Sequence, residues 1–155
     1  MKINNTWPIF MDEEVRAVTQ VLESGKVNYW TGQEGRLFEK EFASYIGVGH
    51  AVAVANGTVA LEIAYRTLGI KGDVITTPFS FVATTSSLVT NGLNPIFADI
   101  DSQTLNMDSR NIEKLITSNT SAIVPVHVFG NACEVEKMET IAKKYNLKVV
   151  YDAAH

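Results

Sequence analysis

The sequence is poor in cysteine, in charge and in long apolar runs, and each shortage excludes a class of protein. Cys133 is the only cysteine among 155 residues, so neither an intrachain disulfide nor a cysteine-based zinc cluster can form. No apolar run approaches the roughly 20 residues needed to cross a membrane, and the first residues lack the apolar core of a signal peptide. The net charge of −4 offers no bulk attraction for nucleic-acid phosphates. We therefore expect a soluble, cytoplasmic protein that binds neither nucleic acid nor membrane.

Metal ligands are also scarce. The three histidines, His50, His127 and His155, show no short metal-ligand spacing, and each is expected to be an ordinary hydrogen-bonded histidine. No metal site is predicted.

The apolar fraction, 46% of the residues against 19% charged, is enough for one packed core. From residue 51 onward, short apolar runs alternate with longer amphipathic segments. Because these runs lack strict apolar–polar alternation, they predict strands that are covered on both faces. The predicted strands are residues 51–55, 73–79, 95–100, 122–129 and 148–153.

Helical periodicity fills the intervals between the predicted strands. Helices are expected from near Val59 to Leu68, over residues 82–91, over 108–116 with Asp108 as N-cap, and over 135–145. Strand and helix repeated in this way predict an α/β fold, with a mostly parallel sheet and helices on both faces.

The first 50 residues follow a different pattern. Two amphipathic helices are predicted, ending at Gly25 and Gly47, with an irregular stretch over residues 26–35 between them. That stretch carries Trp30, Thr31 and Gly32, which indicates a binding loop, although packing against the rest of the domain explains it at least as well. The predicted division is a helical segment over 1–50 and an α/β domain over 51–155.

Three short motifs could carry chemistry. The first, Ala55-Asn56-Gly57-Thr58, is predicted to join a strand to a helix. Free backbone N–H groups, the Thr58 hydroxyl and the positive end of the helix dipole would suit a phosphate group. An ordinary strand-to-helix turn with Thr58 near the cap is the alternative.

The second motif, Thr77-Pro78-Phe79-Ser80-Phe81-Val82-Ala83-Thr84, begins at the end of the next predicted strand. An aromatic ring here could lie against a planar ligand, but taken alone a phenylalanine is more often a core residue.

The third motif is Asp152 with His155, at the carboxyl end of the last predicted strand. A carboxylate at this edge can pair with a protonated ring nitrogen. A helix N-cap is the alternative role for Asp152.

Taken together and in this order, the motifs resemble the DegT/DnrJ/EryC1/StrS family of nucleotide-sugar aminotransferases, which are fold-type-I enzymes dependent on pyridoxal phosphate. The resemblance covers nearly the whole chain from about residue 7. The segments that carry it are GRLFEKEFA (35–43), ANGTVAL (55–61), VITTPFSFVAT (74–84), PIFADID (95–101), PVHVFG (125–130) and VYDAAH (150–155).

The resemblance implies a role for each motif. Gly57 and Thr58 would hold the cofactor phosphate, and Phe81 would stack on the pyridine ring. Asp152 would pair with the ring nitrogen, and His155, which stands where many members have glutamine, would reach the phenolic oxygen. Thr31 and Gly32 would lie in a loop that faces the sugar.

The resemblance also implies what the chain lacks. The family's Schiff-base lysine follows the aspartate strand, whereas the last lysine here is Lys148. We therefore expect residues 51–155 to be a partial cofactor-binding domain that is truncated before this lysine, and the 155-residue chain to be inactive alone. The parent enzyme is expected to be a homodimer that transfers an amino group, with glutamate as the expected donor, to a keto-sugar nucleotide in polysaccharide or deoxysugar biosynthesis.

Three alternative functions compete with this interpretation. A sugar dehydratase on the same fold would differ in the region of the missing lysine, and a non-catalytic binding or regulatory protein could keep the cofactor cradle. A nicotinamide- or flavin-binding domain is disfavoured, because no glycine fingerprint follows the first predicted strand.

Overall fold

The computed structural model describes residues 8–155. The chain divides into two compact units, Met1–Ala53 and Val54–His155. Residues 1–7, on which the expectation of no signal peptide mainly rests, lie outside the described residues. Between residues 8 and 155, no helix combines the length and the apolar character that crossing a membrane requires.

The first unit contains the two predicted helices, α1 (Asp12–Glu23) and α2 (Glu34–Ile46). Three acidic residues in the first turn of α1 complement the positive end of the helix dipole. One of them, Glu14, accepts a hydrogen bond from the backbone N–H of Met11 at 2.6 Å. Helix α2 ends at Gly47, whose left-handed backbone, with φ of +79°, is readily adopted by glycine.

The second unit is an α/β layer structure. Helices α3 (Gly57–Thr67), α4 (Val82–Thr90) and α5 (Val135–Tyr145) alternate with strands β1 (Asp73–Thr76), β2 (Asn94–Phe97), β3 (Thr120–Val124) and β4 (Lys148–Val149). The strand order is β2-β1-β3-β4. Every neighbouring pair is parallel, with Ile75 of β1 in register with Ile96 and Ile123. The predicted parallel α/β fold is confirmed.

Side chains of the two central strands alternate between two apolar layers. Val74 and Val124 pack into a layer with residues of α3 and α4, whereas Ile75 and Ile123 pack into a layer with residues of α5. All four are fully buried. This explains why the strand sequences lack alternation: both faces of the sheet are covered by helices.

One predicted strand is wrong. Residues 51–55 form no strand, and within the described residues they have no ladder partner. Val52 is 75% exposed. An apolar, β-branched run favours a strand only where a neighbouring backbone completes its hydrogen bonds.

The other predicted strands are present but shorter than expected. Strand β1 stops at Thr76 and β3 at Val124, and in β3 the next residue is Pro125, which has no N–H for the ladder. Strand β4 covers only two residues, and an isolated parallel bridge from Val126 to Asp152 extends the pairing.

The helix predicted after Asp108 is also different. The chain forms two short 3₁₀ helices, α′1 (Ser109–Asn111) and α′2 (Glu113–Leu115). The predicted cap itself is confirmed, because the Asp108 carboxylate accepts from the N–H of Arg110 at 2.9 Å.

Candidate active site

Loops that follow three neighbouring strands meet at a cavity of about 370 Å³. Because parallel strands end at the same edge of a sheet, the loops after β1, β3 and β4 converge there. The structure thus brings together three residues predicted for the site, Phe81, Asp152 and His155. The full lining is Pro78, Phe79, Ser80, Phe81, Val126, Val128, Phe129, Asp152, Ala154 and His155.

Asp152 is held by its backbone and by its side chain. Its N–H donates to the carbonyl of Pro125 at 2.9 Å, and its carbonyl accepts from the N–H of His127 at 3.0 Å. Oδ2 accepts from the Thr84 hydroxyl at 2.6 Å, and Oδ1 accepts from the Ala154 N–H at 3.3 Å. The last contact is of the kind that an N-cap aspartate makes. The Thr84 bond, in contrast, ties Asp152 to helix α4.

Phe81 is the residue immediately before α4, and its extended backbone serves as the N-cap of that helix. Its side chain is 75% exposed and that of Phe79 is 40% exposed, so neither is a core residue of the described structure. Phe79 pairs edge-on with Phe129, with ring centroids 6.1 Å apart. Among residues 8–155, Phe81 pairs with no aromatic ring, which leaves its face available to a planar ligand.

His155 is oriented by the loop after β3. The N–H of Phe129 donates to Nδ1 of His155 at 3.2 Å, and the two rings stack at 14°. Because Nδ1 accepts, the neutral imidazole carries its hydrogen on Nε2, which remains a donor. Phe129 itself has a φ of +53°, a left-handed conformation that costs a non-glycine residue about 1–3 kcal/mol. Neighbouring contacts must therefore hold this loop in place.

Gly57 and Thr58 lie at the amino end of α3 and do not line the cavity. The N-cap is Asn56, whose side chain accepts from the N–H of Val59 at 3.0 Å. Within the described part of the chain, the N–H groups of Gly57 and Thr58 donate to no other group. A Cβ placed on Gly57 would meet no atom within 4 Å. The helix end therefore presents unused donors beside open space.

Thr31 and Gly32 belong to the first unit. The N–H and hydroxyl of Thr31 both donate to the Asn28 side chain, at 3.0 and 3.2 Å. A Cβ on Gly32 would lie 2.5 Å from the carbonyl oxygen of Lys26, so this turn requires glycine for reasons internal to the loop. Gly32 also lines a groove of about 710 Å³ between α1 and the loop, whereas Thr31 does not.

Three buried groups near the sheet have raised pKa values. Burial raises the pKa of the Cys133 thiol to about 11, so this cysteine stays protonated and is a poor nucleophile. Burial likewise raises the pKa of Tyr151 to about 12. For Tyr65, burial raises the pKa to about 12, the nearby Ser87 hydroxyl opposes the shift, and the charge of Asp152 adds to it. The Tyr65 and Ser87 hydroxyls do not complete a hydrogen bond of normal geometry.

Sequence reasoning missed Thr84, Ser80 and Phe129 as parts of this site. Thr84 and Ser80 stand inside the motif that was singled out for its aromatic residues. Phe129 precedes Gly130 in the loop after β3, and both residues have positive φ. An aromatic–glycine pair at that edge was the available signal for a shaped loop.

Similarity to known proteins extends over all of the described residues. The sequence profile of the DegT/DnrJ/EryC1/StrS aminotransferase family matches residues 8–155. The chain belongs to this family. The family depends on pyridoxal phosphate, as the resemblance implied.

Individual members of the family are similar at the level of sequence and of structure. The chain is 49% identical over 143 residues to a dTDP-4-amino-4,6-dideoxy-D-glucose transaminase of Shigella dysenteriae, covering 92% of this chain. The chain spans only 39% of that relative's length.

Several solved structures are similar to the described fold, and two of them illustrate the similarity. An aminotransferase from Psychrobacter cryohalolentis superimposes with a TM-score of 0.91 at 43% identity, over 94% of this chain and 37% of that one. The NtdA protein of Bacillus subtilis, solved with the cofactor PMP bound, gives 0.87 at 34% identity, over 93% and 34%.

Proposed function

We propose that the whole protein is a pyridoxal-phosphate-dependent aminotransferase that transfers an amino group, with glutamate as donor, to a nucleotide-linked keto-sugar. One observation carries the proposal: the Asp152 carboxylate is fixed at the wall of a cavity that also presents the open face of Phe81 and the His155 ring. Family membership and the named activity of the Shigella relative support the same reaction.

The residues present fit this cofactor. Asp152, an acceptor when ionised, would pair with a protonated pyridine nitrogen, and Phe81 would cover one face of the ring. Nε2–H of His155 would donate to the phenolic oxygen. The unused N–H groups of Gly57 and Thr58 would hold the phosphate at the positive end of α3. When bound, pyridoxal phosphate supplies an electron-withdrawing ring that stabilises negative charge on the carbon next to the substrate nitrogen.

The surroundings of Asp152 favour its role. Most of the residues that line the cavity with Asp152 are apolar, among them Phe79, Phe81, Val126 and Val128. Once a planar ligand covers this apolar lining, the attraction between a carboxylate and a protonated ring nitrogen would be screened less than in water. Asp152 would therefore hold the proton on that nitrogen.

The remaining parts of the proposal concern substrate and assembly. We propose that the loop with Thr31 and Gly32 contacts the sugar, and that residues 51–155 are part of the cofactor-binding domain. The name of the Shigella relative supports a dTDP-linked deoxysugar as substrate. A homodimer, a cytoplasmic location and a role in deoxysugar or polysaccharide synthesis complete the proposal.

Cofactor binding is the first test. Purified protein is titrated with pyridoxamine 5′-phosphate and the cofactor fluorescence is followed. We expect saturable binding, weakened about tenfold or more by Asp152→Asn, because this change removes a charge-assisted hydrogen bond. Asp12→Asn, an exposed change in the first turn of α1, is the matched control and should bind like the wild type.

The reaction is tested on the whole protein. Glutamate and a dTDP-4-keto-6-deoxyhexose are supplied, and products are read by mass spectrometry. An amino-sugar nucleotide supports the proposal. A product that has lost water instead identifies a dehydratase, and cofactor binding without turnover of any keto-sugar in a panel identifies a binding protein.

A further inference from the structure

A buried threonine of α4 is hydrogen-bonded to two residues that line the cavity, Ser80 and Asp152. Thr84 is fully buried in the first turn of α4. Its Oγ1 lies 2.6 Å from Oδ2 of Asp152 and 2.6 Å from the hydroxyl oxygen of exposed Ser80. The hydroxyl of Thr84 thus joins Ser80, in the loop after β1, to Asp152, which lies 68 positions after Thr84 in the chain.

The direction of these two hydrogen bonds follows from counting protons. An ionised carboxylate can only accept, so the single hydroxyl hydrogen of Thr84 is used on Asp152. Between Thr84 and Ser80, the donor must then be Ser80. The chain of donors runs from Ser80 to Thr84 to Asp152, and hydroxyls aligned in this way polarise and strengthen one another.

The same bonds distinguish the two oxygens of the carboxylate. Oδ2 receives the short bond from Thr84, whereas Oδ1 receives only the long contact of 3.3 Å from Ala154. Each carboxylate oxygen can accept more than one hydrogen bond. Oδ1 therefore keeps the greater capacity for an additional donor.

Thr84 is also tied to the aromatic residue of the site. Its N–H donates to the carbonyl of Phe81 at 3.1 Å, in the turn that begins α4. One helical turn thus fixes the backbone of Phe81 and, through the threonine hydroxyl, the carboxylate of Asp152.

We propose that Thr84, supported by Ser80, is a positioning residue that holds Oδ2 of Asp152 and leaves Oδ1 for the ring nitrogen of the cofactor. This inference rests on the proposed function and adds to it the residues that orient the aspartate. Thr84 contacts Asp152 and does not line the cavity, so it would act on the cofactor through the carboxylate.

The test follows the protonation of the cofactor ring in the absence of turnover. Pyridoxamine 5′-phosphate labelled with ¹⁵N in the ring is bound to the protein, and the ¹⁵N chemical shift is recorded against pH. In Thr84→Val, which keeps the shape and removes the hydroxyl, we expect the ring nitrogen to lose its proton about one pH unit lower than in the wild type. The dissociation constant should rise about tenfold.

Matched variants distinguish a positioning role of Thr84 from a general effect of the substitution on folding. Thr84→Ser keeps the hydroxyl and should restore most of the wild-type shift. Thr140→Val is the control, because exposed Thr140 donates to a helix carbonyl of α5 and lies outside the cavity. Ser80→Ala changes an exposed residue, so it tests the same chain of donors even where Thr84→Val impairs folding, and a smaller shift of the same sign is expected.

The outcomes are distinguishable from failure of the proposed function. If Asp152→Asn weakens binding while Thr84→Val and Ser80→Ala both behave like the wild type, the positioning role is refuted and the proposed function stands. If the wild type binds no cofactor, the proposed function fails. In that case, the hydrogen bond between Thr84 and Asp152 is tested by a double-mutant cycle of Thr84→Val and Asp152→Asn, measured by urea unfolding. Coupling of about tenfold in the unfolding constant supports the bond, and additivity overturns it.

Discussion

The substitution Gly57→Ala tests whether glycine is needed at this position for folding or for binding a ligand. The backbone of Gly57 is not in the left-handed region, and an added Cβ would meet nothing within 4 Å. Alanine is a better helix former than glycine, by up to about 1 kcal/mol in a helix interior and less at its first position. The free energy of unfolding should therefore stay unchanged or rise by a few tenths of a kcal/mol. Nothing within the described unit explains why glycine stands there.

A phosphate bound at this helix end would occupy the space that the new methyl group enters. Crowding of a packed contact by one carbon costs about 1–3 kcal/mol, which corresponds to roughly 5- to 150-fold in the dissociation constant. We expect that loss for pyridoxamine 5′-phosphate. Pyridoxamine, which lacks the phosphate, should bind the wild type weakly and the variant equally weakly.

Fluorescence titration measures the affinities for pyridoxamine 5′-phosphate and for pyridoxamine, and urea unfolding measures the free energy of unfolding. Gly49→Ala is the matched control, since Gly49 also has open space around an added Cβ but lies in the other unit. An equal loss for both ligands would show that the variant disturbs the ring site, and an unchanged affinity for the phosphorylated ligand would refute a phosphate at Gly57.

Two further predictions concern stability. Gly32→Ala should lower the free energy of unfolding by about 1–3 kcal/mol in urea, because the added Cβ meets the carbonyl oxygens of Lys26 and Asn28; a change below about 0.5 kcal/mol would show that the turn can open. The hydrogen bond from Arg110 lowers the pKa of Asp108 below its ordinary 3.8. A lowered native pKa stabilises the fold above the unfolded value, so this stability should be lost as pH falls below about 4, and Asp108→Asn should flatten that part of the pH–stability curve.

The sequence predicts the elements that a local pattern determines, and it fails where an element depends on a long-range contact. Helices α3 and α5 carry an apolar stripe at helical spacing, and β1 and β3 are short buried runs, so each is readable in isolation. Residues 51–55 have the same local character as those strands and yet form none. Whether such a run becomes a strand depends on a partner backbone, which a local pattern does not contain.

The candidate site shows the same division. The positions of Phe81 and Asp152 at strand ends were predictable, because parallel topology alone brings such ends to one edge. The bond between Thr84 and Asp152 was not, since it depends on one rotamer in a buried turn and on a partner 68 residues away. The left-handed backbone of Phe129 was equally hidden, because no local preference of phenylalanine favours it.

The positions of the strand ends beside the cavity depend on the buried side chains of the two central strands, β1 and β3. Ile75, Ile123 and Val124 are fully buried, so the ends of β1 and β3 have little freedom to shift. Thr76 adds a cross-strand link, its buried hydroxyl donating to the carbonyl of Val124 at 2.9 Å. The loops that carry Phe81 and Asp152 start close to β1 and β3. The hydrogen bond from Thr84 also joins Asp152 to helix α4. Because a ring-binding site tolerates displacements of only about 0.5 Å, such bracing would allow the proposed site to hold a planar cofactor, with the aromatic face of Phe81 over the ring and the carboxylate of Asp152 at its edge.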